Sequence, residues 1–313
     1  MKLREEEGET MQLTKRTPKP HRPLSERLAP VVFLAPACIL IFAISIIPIC
    51  YSLRLSFLKY NLARPLSSVR FYGFKNYIKI LTDENFLASV QWTLVFALSS
   101  LVIEVLLGMI LAVLLNSELS NKFSNPFKTA LIIPMMIAPV VSATIWKLMF
   151  YPIYGVVNCT LEMLGGSAID WFGTTKYAKI AIVIVEVWSA TPFCVLVFQA
   201  ALKTVSQDML EAAKVDGATS FRSFFSITLP TIRNFVALVV TIRLSDAIRA
   251  FDAVMQLTNG APGVSTETIG PTIYKTAFRY NDVGQGSAGA FVFFIIVSVV
   301  ALINMKLLRK KAD

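Results

Sequence analysis

The chain has 313 residues, of which 55% are hydrophobic and only 16% are charged. A soluble domain carries about a quarter charged residues, so the composition excludes an ordinary water-soluble domain and indicates a membrane protein. The formal net charge of +10 does not indicate nucleic acid binding, because no basic stripe with interleaved aromatic residues is present. Much of the positive excess lies in the two tails, where it suits anionic lipid headgroups.

The histidine and cysteine residues of the sequence do not indicate a metal site or a redox site. His21 is the only histidine and lies in a tail rich in proline and basic residues, which excludes a histidine metal site. The four cysteines have no C-x-x-C spacing, and most of them fall in apolar runs, where they are expected to pack as small hydrophobic residues. The sequence therefore predicts no metal site and no catalytic residue.

The chain begins with a polar segment and continues with apolar ones. Residues 1–28 are polar and mixed in charge, which predicts a disordered cytoplasmic tail rather than a secretory signal. A transmembrane helix needs about 20 apolar residues, and six segments between 29 and 311 predict an all-α membrane domain, although the fifth carries several charges. The predicted spans are Leu28–Leu53, Phe86–Asn116, Thr129–Phe150, Ala178–Leu202, a span centred on Phe235–Ile242, and Val283–Met305.

The distribution of lysine and arginine predicts the orientation. Six spans place both termini on one side, and that side holds 17 lysines and arginines against 12 on the other. The positive-inside rule therefore favours cytoplasmic termini, with Gly217 also inside and with Gly155 and Gly263 outside. The loop between the first two spans is unusually basic for an external loop.

The cytoplasmic loop before the fifth span contains "EAAKVDGATSFRSFFSITLP", residues 211–230. Ser206 is a suitable N-cap for a short helix that ends at Gly217, where a glycine can take the left-handed conformation. Thr219 or Ser220 can cap a second short helix, and Pro230 is expected to redirect the chain as the fifth span begins. The coupling segment, defined as residues 206–230, is thus predicted to be a bent helix pair on the membrane face.

Two uses of this helix pair remain open. Ala212 and Ala213 make the first helix flat enough for another protein to approach closely, and Glu211 offers a carboxylate to a basic partner. Alternatively, Phe221 and its neighbouring phenylalanines can hold the segment on the lipid surface.

The coupling segment resembles the EAA loop of binding-protein-dependent ABC transporter permeases, whose pattern is E-A-A-x-x-D-G-A followed by I-x-L-P. Matching positions are Glu211, Ala212, Ala213, Asp216, Gly217, Ala218, Ile227, Leu229 and Pro230. Asn234 stands near the place where such permeases often carry another proline. The resemblance implies that Glu211, Ala212, Ala213, Asp216 and Gly217 dock against an ATPase subunit.

The resemblance covers residues 28–311 and is closest to carbohydrate-uptake permeases. "FYGFKNYIKILTDENF", "IDWFG", "VEVWSATPF" and "IYKTAFRYNDVGQGSA" are similar to segments of that subgroup, whereas residues 259–262 read N-G-A-P where relatives usually carry G-G-G-P. The resemblance implies a permease in a bacterial or archaeal plasma membrane, working with a second permease, two ATPase subunits and an external solute-binding protein. ATP and magnesium are then expected on the ATPase, since this chain has no G-x-x-x-x-G-K-[ST] loop.

Charged residues within the spans are candidates for a substrate pathway, because charges are costly at membrane depth. Arg243, Asp246, Arg249 and Asp252 are spaced by three residues and predict a ladder of ion pairs on one helix. Glu104 can pair with Arg243 or line the pathway.

Aromatic residues accompany the carboxylates toward the outer ends of the fourth and fifth spans. Glu186 lies beside Trp188 and Phe193, and Phe251 lies beside Asp252, a combination that suits a carbohydrate. Trp188 also suits an aromatic belt at the membrane interface. These five residues and Glu104 form the predicted substrate pathway.

Three functions compete at this stage. The leading hypothesis is a permease subunit of an ATP-driven importer for a sugar, with a polyamine, an amino acid or a phosphate ester as alternative solutes. An ion-coupled secondary transporter usually shows an inverted repeat, which is not evident here. A membrane enzyme would need a cluster of catalytic or metal-binding side chains, which is also not evident.

Overall fold

The computed structural model describes residues 24–116 and 124–309, so most of the predicted tail lies outside the described residues. The described residues fall into two compact units, divided between Tyr51 and Ser52. The α-helices of the described residues are α1 (Leu24–Ser56), α2 (Lys75–Leu81), α3 (Glu84–Asn116), α4 (Ser124–Met136), α5 (Pro139–Met149), α6 (Val156–Met163), α7 (Thr175–Leu202), α8 (Gln207–Val215), α9 (Ser220–Ser223), α10 (Leu229–Thr231), α11 (Arg233–Ile248), α12 (Asp252–Leu257), α13 (Ile269–Tyr274) and α14 (Val283–Arg309). Two π-helical turns, Phe224–Thr228 and Lys275–Arg279, lie before α10 and after α13.

The first unit is represented by most of helix α1, which begins at Leu24, ahead of the predicted start of the span at Leu28. Large apolar side chains such as Phe33 and Phe42 are exposed around its circumference. A helix that is apolar all round requires a hydrocarbon or protein environment. This part of the chain therefore has the surface of a membrane-embedded helix.

Among the described residues, four helices are long and apolar enough to cross a membrane, and two bent helix pairs bring the number to six if each pair is one span. The four continuous helices match the predicted first, second, fourth and sixth spans. The other two predicted spans are both broken. The helices α4 and α5 meet at 107°, and α11 meets the segment before it at 70°.

The prediction of one continuous helix over Thr129–Phe150 is wrong. Helix α4 ends at Met136 and α5 begins at Pro139. A proline disfavours the helical conformation of the residue before it, and Ala138 accordingly has the extended angles φ −57° and ψ 138°. The sequence Ala-Pro is therefore the physical cause of the bend.

The break before the fifth span lies at Ile232 rather than at Pro230. A π-helical turn over Phe224–Thr228 precedes Pro230, which then occupies the start of a new turn. A proline is tolerated there because its missing amide hydrogen has no helical partner to lose. The chain turns two residues later, where Ile232 has φ −91° and ψ 6° and a fully buried side chain.

Helices α3, α7 and α11 form the centre of the second unit. One apolar cluster includes Phe96, Val185 and Ile248, and a second includes Phe198 and Val239. Between α3 and α7 the backbones approach closely, because a β-carbon at Gly108 would lie 2.5 Å from that of Cys194. Small residues at such crossings permit close helix packing within a membrane.

The second unit also contains a short antiparallel strand pair, β1 (Leu58–Lys59) and β2 (Arg70–Phe71), so the all-α prediction holds only for the larger elements. The buried amide of Asn76 holds this hairpin. Its Nδ2 atom donates to the carbonyl oxygens of Ser56 and Leu58, each at 2.8 Å. The stretch "FYGFKNY", residues 71–77, therefore has a structural role in the loop after the first span.

Small residues at the start of α14 fit against this hairpin and against the preceding turn. At Gly284 a β-carbon would collide with the carbonyl of Leu58, and at Gly286 it would lie 2.6 Å from the β-carbon of Ala277. These glycines therefore permit close packing at the start of α14.

Replacing Asn76 with alanine should lower stability by about 2 kcal/mol, because two buried carbonyl groups lose their hydrogen-bond donor. The thermal unfolding midpoint of the purified permease measures this effect. Asn85→Ala provides the matched control, since Asn85 is exposed on the next helix, and its effect should stay within about 0.5 kcal/mol. Equal midpoints for the two variants would contradict this role of Asn76.

Candidate functional site

The guanidinium of Arg243 on α11 stands at the centre of a charge cluster that joins three helices. Its Nε atom lies 2.8 Å from Oε2 of Glu104 on α3, and its Nη2 atom lies 2.7 Å from Oε1 of Glu186 on α7. Its Nη1 atom lies 3.3 Å from Oδ2 of Asp246, one turn further along α11. The pairing of Glu104 with Arg243, one of the two alternatives for Glu104, is therefore confirmed.

This cluster is buried to different depths. The side chain of Glu104 is 0% exposed, that of Arg243 is 10% exposed and that of Asp246 is 42% exposed. Removing one partner of a buried ion pair typically costs about 3–5 kcal/mol, because a charge then remains without compensation. The cluster therefore fixes the rotation of α3, α7 and α11 relative to one another.

Two of the three ion pairs in the predicted ladder are present, Arg243 with Asp246 and Asp246 with Arg249. Arg249 pairs with Asp246 at 2.9 Å, but among the described residues no ion pair joins Arg249 to Asp252. The reason is that α11 ends at Ile248 and a new helix begins at Asp252. Positions 249 and 252 therefore do not share a helix face, and the third pair was a wrong prediction.

A cavity of about 410 Å³ lies beside the charge cluster. It is bounded by α7 and α11 on one side and by the bend between α4 and α5 on the other. The sequence-predicted residues Glu186, Phe193, Phe251 and Asp252 all line it. Three further charged residues also line this cavity, namely Arg243, Asp246 and Arg249.

Two predicted pathway residues lie outside the cavity wall. Trp188 lines a separate apolar cleft and packs edge to face against Trp146, with ring centroids 5.6 Å apart. Residues two apart on a helix point to opposite sides, so Trp188 cannot share the face of Glu186. Glu104 lies behind Arg243 and contacts it from the α3 side.

The opposite wall of the cavity was not expected from the sequence. It is formed by Met135, Pro139 and Ser142, which meet the cavity because α4 and α5 are bent. The signal for this wall was the proline pair at 134 and 139, of which Pro139 disfavours helix at the residue before it.

The coupling segment has the predicted geometry at its first turn. Helix α8 is followed by Gly217 with φ +78°. The amide of Ala218 donates to the carbonyl of Ala213 at 2.9 Å, and that of Gly217 donates to Lys214 at 3.0 Å. These two hydrogen bonds form a Schellman motif, which ends a helix at a left-handed residue.

The caps of the two short helices differ from each other. Ser206 occupies the N-cap of α8 with φ −64° and ψ 130°, but its side chain makes no capping hydrogen bond. Thr219 is the cap of α9, since its hydroxyl accepts a hydrogen bond from the amide of Arg222 at 3.3 Å. Of the two candidate caps, Thr219 and Ser220, the structure therefore selects Thr219.

The outward face of the coupling segment is open. Glu211, Ala212, Asp216 and Gly217 are exposed and Ala213 is half-buried. Leu210 anchors the segment by packing against the apolar cluster of α7. Exposed apolar side chains surround the anchored helix, namely Met209, Val215, Phe221 and Phe225.

Sequence reasoning missed one buried ion pair, between Glu267 and Lys275 in the segment that joins α12 to α14. Lys275 Nζ also donates to the carbonyl oxygen of Asn259 at 2.6 Å, and Thr272 donates to Oε2 of Glu267 at 3.0 Å. These contacts hold the N-G-A-P turn at residues 259–262 in place. A lone glutamate and a lone lysine in a threonine-rich loop were the available signal.

Several apolar helices around a polar cavity, with an exposed helix pair between two of them, define a multi-pass membrane transport protein. Residues 104–312 match the family model of binding-protein-dependent transport system inner membrane components. The chain belongs to this family and is a permease component of an ABC importer. The identification made from residues 211–230 is confirmed.

Named relatives cover most of the chain. The chain is 33% identical over 243 residues to the trehalose/maltose transport system permease protein MalF of Thermococcus litoralis, which covers 78% of this chain and 81% of the relative. It is also 33% identical over 288 residues to the sulfoquinovosyl glycerol transport system permease protein SmoG of Agrobacterium fabrum, which covers 92% of each.

A solved structure shares the fold. The chain is similar to a subunit of a bacterial ABC transporter involved in the import of the acidic polysaccharide alginate, with a TM-score of 0.79 and 21% identity. The match covers 91% of this chain and 97% of the other.

Arg243→Gln should destabilise the permease by about 3–5 kcal/mol, because Glu104 and Glu186 would remain buried without a cation. Arg249→Gln is the matched control; the Arg249 side chain is 59% exposed, so its loss should cost at most about 1 kcal/mol. The thermal unfolding midpoint and the yield of folded protein measure both effects. Adding Glu104→Gln to Arg243→Gln should recover part of the loss, and no recovery together with equal single-variant midpoints would refute the role of the cluster.

Proposed function

We propose that this chain is the permease subunit of an ATP-driven importer that moves a sugar or sugar-like solute delivered by an external binding protein. One observation carries the proposal. The coupling segment joins α7 to α11, the two helices that hold Glu186, Arg243 and Asp246 of the cavity wall. A push on an exposed helix between them therefore moves this wall of the cavity directly.

The coupling segment is the proposed docking surface for an ATPase subunit. Its exposed helix α8 offers a flat face at Ala212 and Ala213, and Glu211 and Asp216 offer carboxylates to a basic partner. Exposed Met209 and Phe221 add apolar area, which suits a protein groove. The bend at Gly217 sets the angle between α8 and α9. The competing use as a lipid-surface helix gains less from a face of alanine and carboxylate side chains.

The proposed complex contains a second, homologous permease, two ATPase subunits that bind ATP and magnesium, and a solute-binding protein on the external face. The family description supports the binding protein and the membrane location. No nucleic acid is part of this assembly, and membrane lipid surrounds the helices.

The proposed cargo is a sugar because of the chemistry of the cavity. Its wall combines the aromatic rings of Phe193 and Phe251, the half-buried Ser189, and charged side chains. Rings pack against the C–H faces of a sugar, while carboxylates accept its hydroxyl hydrogens. The relatives named for trehalose, maltose and sulfoquinovosyl glycerol support this class of cargo.

The proposed topology has six spans, of which the third and fifth are the bent pairs. Both termini and Gly217 face the cytoplasm, and Gly155 and Gly263 face outside. The coupling segment then lies on the side where ATP is available.

Uptake by the complete transporter in proteoliposomes tests the function, with trehalose and maltose as probes. Uptake should require internal ATP and the binding protein, and should not respond to an imposed ion gradient. Gly217→Val should reduce uptake and sugar-stimulated ATP hydrolysis at least about tenfold, because a β-branched residue resists positive φ and the bend is lost.

Gly165→Val is the matched control for this variant. Gly165 also has positive φ, at +85°, and a β-carbon at either glycine would meet no atom within 4 Å. The two variants thus impose the same backbone strain, one in the coupling segment and one in the proposed external loop. Equal uptake and equal binding of the ATPase by both variants would remove the support for docking.

Single-cysteine labelling in intact cells tests the topology. Val215→Cys in α8 and Ile153→Cys after α5 replace side chains that are 88% and 83% exposed. In a version without the native cysteines, a membrane-impermeant thiol reagent should label position 153 and leave position 215 unlabelled until the cells are permeabilised. Labelling of position 215 in intact cells would contradict the proposed orientation.

A further inference from the structure

The formal charges of the side chains on the wall of the 410 Å³ cavity do not sum to zero. Glu186, Asp246 and Asp252 supply three carboxylates, whereas Arg243 and Arg249 supply two guanidinium groups. The wall therefore carries a formal excess of one negative charge. Glu104, directly behind Arg243, adds a further carboxylate to the same neighbourhood.

The two guanidinium groups are already engaged by acidic side chains. All three nitrogens of Arg243 donate to carboxylates at 2.7–3.4 Å. Arg249 donates to Asp246 through Nη2 at 2.9 Å and to the carbonyl oxygen of Ser245 through Nε at 3.0 Å. An anion in the cavity would therefore have to share each guanidinium with the carboxylates that already contact it.

By contrast, two carboxylates of the wall still have oxygens without a hydrogen-bond partner among the described residues. Asp252 is exposed to the cavity and, among the described residues, makes no ion pair or side-chain hydrogen bond. Glu186 uses Oε1 for Arg243, so Oε2 remains a hydrogen-bond acceptor. A carboxylate is an acceptor only, and hydroxyl or ammonium groups are the donors that it prefers.

We infer that this cavity admits polyhydroxyl solutes that are uncharged or cationic, and rejects those that carry a carboxylate, sulfonate or phosphate group. The inference deepens the proposed function and rests on its assignment of this cavity to the solute pathway. An uncharged sugar can donate hydroxyl hydrogens to Asp252 and Glu186 without disturbing the charge cluster. An anionic sugar would meet the unpaired carboxylate of Asp252 and the net negative charge of the wall.

The charge of the cavity can be measured without knowing the cargo. Ser189→Cys places a thiol on the cavity wall at nearly constant shape, in a version of the permease whose four native cysteines are replaced by alanine. The purified complex is treated with two methanethiosulfonate reagents of similar size, one with a trimethylammonium group and one with a sulfonate group. For each reagent, the rate of reaction with the thiol at position 189 is divided by its rate of reaction with a small thiol in solution.

The normalised cation-to-anion rate ratio at position 189 should be at least about fivefold, because a nearby negative charge attracts one reagent and repels the other. Asp252→Asn should lower this ratio at least about twofold. Asp83→Asn removes a carboxylate from outside this cavity and should leave the ratio unchanged. A thiol at Ser67, in the loop between β1 and β2, should give a ratio that does not respond to Asp252→Asn.

A ratio of one or below, or a ratio that Asp252→Asn does not change, would overturn the inference. Failure of ATP-driven uptake is a separate result that refutes the proposed function and does not alter the reagent ratio. Conversely, ATP-driven uptake of trehalose or maltose by a permease whose position 189 prefers the anionic reagent would refute the charge selection alone. Each outcome thus identifies which of the two statements has failed.

Discussion

The packing of this permease depends on one buried cation. Arg243 lies at membrane depth, where an uncompensated charge is costly, and its compensation comes from three different helices. Apolar contacts between helices in a membrane are not directional and gain little over contacts with lipid. A guanidinium with three acidic partners is directional, and it therefore determines which faces of α3, α7 and α11 meet.

This constraint also links the cavity to the coupling segment. Helix α7 runs from Glu186 to the start of the segment, and α11 runs from the end of the segment to Arg243. Because Glu186 and Arg243 are held at 2.7 Å, a displacement of the segment cannot readily separate the two helices at the cavity. Helices α7 and α11 are expected to move together as one wall against the bend of α4 and α5. Energy applied at α8 then changes the shape of the cavity rather than the contact between α7 and α11.

The sequence predicted the elements that depend on local chemistry. Continuous apolar runs located α3, α7 and α14, and the left-handed Gly217 followed from a glycine after a capped helix. The pairing of Glu104 with Arg243 was foreseen because each charge needs a partner at that depth. The bend at Ala138 and the side on which Trp188 points were missed for different reasons. The first is a backbone effect of Pro139 on its neighbour, and the second depends on helix phase, since Glu186 and Trp188 are two residues apart. The shape of the cavity depends on the bend at Ala138 and on the rotational phase of α7. Only the wall formed by α7 and α11 could therefore be predicted.

The interaction that holds the helices together also determines the chemistry of the cavity. A guanidinium has five donors in a fixed fork and needs several acceptors around it when buried. Satisfying Arg243 from three helices occupies all three of its nitrogen atoms and leaves most of its donors engaged by carboxylates. The unpaired carboxylate oxygens of the cavity are then those of Asp252 and the second oxygen of Glu186. The proposed discrimination against anions then follows from the way in which the buried cation is neutralised. On this proposal, a permease of the same fold would accept an acidic cargo more readily if the position of Asp252 carried a neutral or basic residue.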